Sequence, residues 1–136
     1  MDSIHVTPTT VSKINDVDFK NLGFGTVFSD HMLVCDYADG KWGIPKIIAY
    51  QPISLMPSAK IFHYGQSIFE GMKAYKDANN QTWLFRPEEN FKRFNISAKR
   101  LAIPELPKEV FMEGLKALLK VDEQWIPTQD GSSLYI

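Results

Sequence analysis

Arginine is scarce in this 136-residue sequence, which holds only Arg86, Arg93 and Arg100, and cysteine is scarcer, with Cys35 alone. A single cysteine has no partner for an internal disulfide, which excludes a stapled secreted scaffold and fits a reducing compartment. Cys35 itself reads as a buried strand residue. Charge of one sign is lacking too: 15 basic against 16 acidic residues leave a net charge of -1, so no bulk field gathers nucleic acid or anionic lipid. Any bound anion must be caught locally. No run approaches the roughly twenty apolar residues that span a bilayer, so no membrane segment is expected. The first twenty residues lack the basic and apolar regions of an export signal, and cytoplasm is the expected compartment. There is no glycine-rich phosphate loop and no nucleophile elbow. His5, His31 and His63 are scattered, so no metal site is expected.

With 44% hydrophobic and 23% charged residues, the composition predicts a globular domain with a single core, burying roughly two-thirds of its unfolded surface. Residues 1–21 are polar and aperiodic and predict an N-terminal arm, either loose or docked over a short stretch, with order beginning near Leu22. Thr26–Tyr37 is rich in strand formers, Ala38–Gly43 supplies turn residues, and Lys46–Tyr50 resumes a strand, together a hairpin. Pro45 and Pro52 bracket the second strand and suggest an edge position, because proline cannot donate to a ladder. Phe62–Phe69 reads as a short helix or an irregular turn ending at Gly71. Met72–Lys76 and Thr82–Phe85 then form a second hairpin around Asp77–Asn80. Pro87 sits where helices begin, with Glu88 and Glu89 in the first turn, and Phe91, Phe94, Ala98 and Leu101 share a face. Pro104 and Pro107 separate it from a second amphipathic helix through Val110, Phe111, Leu115, Leu118 and Leu119, running to about Asp122. Ser132–Ile136 reads as a short strand. Strands followed by covering helices predict an α+β fold, an open α/β sandwich with a mostly antiparallel sheet and helices on one side.

Two features carry chemistry. The run from Phe62 to Tyr75 crowds aromatics, glycines and polar groups without periodicity, which suits either a buried corner between strands or a turn whose backbone must approach something closely. The three arginines recur every seven residues, about two helical turns, and so share a side of the first long helix. They form either a solvated stripe with Lys92 and Lys99 or a grip for a phosphate or carboxylate.

The ordered motifs Phe24-Gly25-Thr26-Val27-Phe28-Ser29-Asp30-His31-Met32, His63-Tyr64, Phe69-Glu70-Gly71-Met72-Lys73-Ala74 and Leu84-Phe85-Arg86-Pro87 resemble the branched-chain amino acid aminotransferases. So do Asn90 to Arg93, Ser97-Ala98, Val121-Asp122 with Trp125-Ile126-Pro127, and Ser133-Leu134-Tyr135-Ile136. The likeness spans residues 22–136. It implies the small domain of a two-domain enzyme of the D-amino-acid-aminotransferase-like class, truncated at its C-terminal end, with pyridoxal 5'-phosphate (PLP) lying between the small domain and a missing large domain.

On this resemblance Arg93 holds the cofactor phosphate, and Phe24, Tyr64, Phe69, Gly71 and Tyr135 line the substrate pocket, Gly71 letting a strand pass close to substrate. The implied reaction moves the amino group of leucine, isoleucine or valine to 2-oxoglutarate in a homodimer. None of the twelve lysines lies in the family's cofactor-lysine motif, which belongs to the large domain, so the 136 residues alone are expected to carry no catalytic residue and to be inactive. D-amino-acid transamination, aminodeoxychorismate lyase chemistry, or a stand-alone module for a phosphorylated ligand are the alternatives.

Overall fold

Asp39 and Gly40 both adopt positive φ, 51° and 77°, the two-residue turn whose twist suits a hairpin. In a computed structural model of the chain, which describes residues 4–136, this turn sits at the tip of the first hairpin. The strand expected over Thr26–Tyr37 is shorter: it starts at His31 because residues 24–26 form a turn around Gly25, which has a φ of 70°, and residues 27–30 are irregular. The result is β2 (His31–Val34), a small outer ladder of β3 (Tyr37–Ala38) and β4 (Lys41–Trp42), and β5 (Lys46–Ala49). Leu33 pairs with Ile47 in the antiparallel β2–β5 ladder.

The arm is docked, and order begins well before Leu22. His5–Val6 forms β1, which pairs in parallel with β5 and gives a sheet order β1-β5-β2. β5 is therefore central rather than at an edge. Proline does not forbid this, because Pro45 precedes the strand and offers its carbonyl to the His5 amide at 3.0 Å. Beyond Pro52 the chain forms α1 (Lys60–Tyr64), placed earlier than expected because Gly65, at a φ of 58°, takes the left-handed conformation that ends a helix.

β6 (Lys73–Lys76) and β7 (Thr82–Leu84) form the second hairpin, and β8 (Leu134–Tyr135) pairs antiparallel with β6, giving the order β7-β6-β8. Two fourteen-residue helices follow the second hairpin: α2 (Pro87–Arg100), with Pro87 in its first turn, and α3 (Lys108–Val121). Phe111 of α3 meets Phe91 and Phe94 of α2, with ring centroids 5.5 and 6.0 Å apart. Asn95 clamps the connecting loop from both sides, donating to the Leu106 carbonyl and accepting from its amide.

α3 binds both three-stranded sheets. Gly114 presses on Leu33 of β2, where a Cβ would lie 2.7 Å from the leucine Cδ2, while Leu115 and Leu119 bury against Ala74 of β6 together with Ile126. The architecture is the α+β sandwich expected, antiparallel except for β1. Its single core is leaner than the composition suggests. The accessible surface is 9880 Å², about a third above the roughly 7,200 Å² of a compact monomer of this mass, so about 56% rather than two-thirds of the unfolded surface is buried. A cavity of about 510 Å³ remains between β2, α3 and β8, lined by Met32, Leu33, Phe111, Leu115, Leu134 and Ile136 among others.

A polar clasp joins the first sheet to the end of α3. Asp122, 2% exposed, takes the His31 ring Nδ1–H at 2.6 Å and the His31 amide at 3.1 Å. The Thr9 amide donates to Nε2 of the same ring at 2.9 Å, which assigns the ring proton to Nδ1. Asp30 accepts from the Ser12 hydroxyl, the Lys13 amide and the Trp125 indole. Burial pushes its carboxyl up, but these three donors outweigh burial and hold it below the usual value. Cys35 lies just past β2, half-buried rather than buried, with its thiol toward the Gly43 carbonyl. Burial raises its pKa, so it is a poor nucleophile.

Candidate functional site

The site forms where β6, β8 and the first two turns of α2 converge. Pro87 and the acidic residues behind it fix the helix start, and one turn spacing then puts Asn90 and Arg93 on a common side, facing the strand entry at Glu70 and Gly71. Glu70 receives the Arg93 guanidinium in a two-pronged pair: Nε donates to Oε2 at 2.8 Å and Nη2 donates to Oε1. Its Oε1 also accepts from the Gly71 amide at 2.9 Å and from Asn90 Nδ2 at 3.2 Å. The Arg93 hydrogen bond, foremost, holds the Glu70 carboxyl well below its ordinary value of 4.5, at about 2, despite burial pushing it up.

The same Asn90 amide donates to the Gly71 carbonyl at 3.1 Å, so both backbone polar groups of Gly71 are held by side chains. Gly71 is in turn pressed against Tyr135: a Cβ there would lie 2.5 Å from the tyrosine oxygen and 3.1 Å from two ring carbons. Phe24 closes on the same tyrosine edge-to-face, with centroids 5.7 Å apart. We therefore expect Gly71→Ala to displace the Tyr135 ring and destabilise the chain at the low end of the roughly 1–3 kcal/mol typical of overpacking, because the half-exposed ring can swing away. Urea titration measures the cost, and loss of the nuclear Overhauser contact between Phe24 and Tyr135 reports the displacement.

The site residues read from the sequence do not all meet. Arg93, Gly71, Tyr135 and Phe24 form one connected chain of contacts through Glu70. Phe69 faces another way, lining an open groove with Ser67, Ile96, Arg100 and Leu101. Tyr64, at the end of α1, lines neither this groove nor the cavity beside β8. Phe24, Tyr64 and Phe69 are 84%, 82% and 85% exposed. Nor do the arginines act as one stripe. Arg86 precedes the helix in a left-handed conformation (φ 49°) and shares a groove of about 310 Å³ with Arg93, Asn90 and Phe85, whereas Arg100 lines the groove at the other end of α2.

Glu70 and Asn90 both fall within the motifs that carry the resemblance, but neither has a task assigned by it. Their signal was the Asn90–Arg93 spacing, which aims an amide and a cation at one target. The donor set is suited to an anion. A guanidinium has five N–H donors, and Glu70 takes two from Arg93, leaving three outward N–H groups on a side chain that is 67% exposed. Among the described residues no group of three or more His, Cys, Asp or Glu side chains could hold a metal ion, and no helix is long and apolar enough to cross a membrane.

Comparison with known proteins converges on one family. The chain is 50% identical over 128 residues to branched-chain-amino-acid aminotransferase 2 of Bacillus subtilis, an alignment covering 93% of this chain and 35% of that protein. It is 51% identical over 120 residues to a probable branched-chain-amino-acid aminotransferase of Staphylococcus epidermidis, covering 88% and 33%. With the branched-chain-amino-acid aminotransferase of Mycolicibacterium smegmatis it shares 48% identity over 136 residues, covering 98% and 37%. No family model matches the chain. The chain spans about a third of the length of these relatives, and over that third about half of its residues are identical to those of proteins named branched-chain-amino-acid aminotransferases.

Proposed function

We propose that this chain is the small-domain part of a PLP-dependent branched-chain aminotransferase, the part that grips the cofactor phosphate and walls one side of the substrate pocket. The observation that carries this reading is the oriented Arg93 guanidinium, its outward N–H groups free for an anion, one residue contact away from the Gly71–Tyr135 wall. A phosphate dianion matches those donors in charge and geometry. Arg86, in the same groove, adds a second cation. PLP, when bound, supplies an electron sink that makes the α-hydrogen of an amino acid labile.

The residues of this chain bind, orient and exclude water. Tyr135 offers a phenol at the pocket wall, Gly71 sets how closely the strand can approach, and Phe24, packed on Tyr135, gives aromatic surface suited to the side chains of leucine, isoleucine and valine, to which Tyr64 and Phe69, on other faces of this chain, are joined only in the whole protein. The excess exposed surface and the apolar cavity beside β8 support a further part of the reading: the length this chain lacks relative to its relatives covers these faces and brings the cofactor lysine. The 2-oxo acid partner is 2-oxoglutarate, the working assembly is a homodimer, and the compartment is the cytoplasm.

The test is a chimera in which this chain replaces the matching third of the Bacillus subtilis enzyme. Transfer from leucine to 2-oxoglutarate is expected, with little from D-alanine, while the 136 residues alone turn over neither. A folded, PLP-loaded chimera that prefers D-alanine would overturn the substrate class, and one that cannot retain PLP would overturn the reading itself.

A further inference from the structure

We infer that Glu70 and Asn90 are positioning residues that lock the phosphate-gripping Arg93 and the pocket-wall residue Gly71 into one rigid unit. The inference rests on the proposed role of Arg93, and it adds residues to which neither the family resemblance nor the comparisons assign a task.

The geometry carries it. Glu70 is 6% exposed while Arg93 is 67% exposed, so the pair has a fixed carboxylate and a guanidinium that would otherwise sweep through solvent. An unpaired surface arginine samples many rotamers and loses that freedom when it captures an anion. Two parallel hydrogen bonds to Glu70 remove most of it beforehand and aim the remaining N–H edge outward. Glu70 also takes the Gly71 amide, and Asn90 bridges the Glu70 carboxylate and the Gly71 carbonyl. Gly71 then has both backbone groups pinned and cannot rotate away from Tyr135. The low titration range of Glu70 keeps the carboxylate charged, and the clamp intact, at any pH near neutrality. A displacement of Arg93 is transmitted to the pocket wall through two hydrogen bonds, and the reverse holds equally.

The test uses the 136-residue chain and nuclear magnetic resonance, which reads binding even in the millimolar range. In the unaltered chain the Arg93 Nε–H should exchange slowly with solvent, and PLP should shift it while pyridoxal, which lacks the phosphate, should not. Glu70→Gln, close in shape, should speed that exchange, weaken PLP roughly fivefold to tenfold through lost preorganisation, and move the Gly71 amide signal. Asn90→Ala, half-buried beside the clamp and without a bond to Arg93, should weaken PLP less while still moving Gly71. The inference is overturned if both variants leave Nε–H exchange and PLP affinity unchanged while Arg93→Ala abolishes PLP binding. If PLP leaves the Arg93 signal unmoved in the unaltered chain, the phosphate role of Arg93 fails, and this inference with it.

Discussion

Asp122→Ala is expected to lower the stability of the chain by roughly 2–6 kcal/mol, measured by urea denaturation at neutral pH. The carboxylate is 2% exposed and satisfies two buried donors at once, the His31 ring Nδ1–H and the His31 amide. Alanine leaves both without a partner, and each unsatisfied buried donor costs about 1–3 kcal/mol. The ring cannot simply turn over to recover, because its other nitrogen already accepts the Thr9 amide. The loss should therefore spread to the N-terminal arm, and the Thr9 amide should exchange with solvent faster in the variant. Glu123→Ala, at the exposed next position, should change stability by less than about 0.5 kcal/mol. Equal effects of the two substitutions would show that the clasp contributes nothing particular.

Arg93→Ala, placed in the chimera with the Bacillus subtilis enzyme, should weaken PLP binding roughly 100-fold, the worth of one or two charge-assisted hydrogen bonds to a phosphate. Arg93→Lys should fall between, since an ammonium keeps the charge and loses the planar fork. A second readout follows from Glu70. Its folded pKa of about 2 lies below the ordinary 4.5, so the stability it contributes is fully present above about pH 4.5 and is lost as pH falls toward 2. Without Arg93 the carboxyl returns toward the ordinary range, and that part of the acid dependence should flatten. Unchanged PLP affinity in Arg93→Ala would remove this arginine from the phosphate site.

Local signals made most of the fold legible. Pro87 marked the start of α2, the apolar spacing from Val110 to Leu119 marked α3, and Asp39-Gly40 marked the hairpin tip. What escaped was non-local. Nothing near His5 says that it will pair in parallel with Lys46, and nothing near His31 says that its partner lies 91 residues on. Whether the arm was loose or docked stayed open because polarity was its only local property, while its attachment depends on Asp30 and His31 satisfying amides and hydroxyls far away in sequence. The site divides the same way. Arg93 and Gly71 stood out as residue types, but the carboxylate that links them and the separate orientation of Phe69 and Tyr64 emerge only when α1, β6 and α2 are placed in space.

The histidine–aspartate clasp also sets an order of events during synthesis. Residues 9 and 31 leave the ribosome long before residue 122, and at roughly 5–20 residues per second the first sheet waits several seconds for the anchor that completes it. During that interval β1, β5 and β2 can pair and the arm can attach through Asp30 and His31, yet Leu33 of β2 lacks the α3 face that packs on it, leaving apolar surface open to other nascent chains. Slowing translation once β2 and β5 have left the ribosome, but before Asp122 has, should therefore raise aggregation.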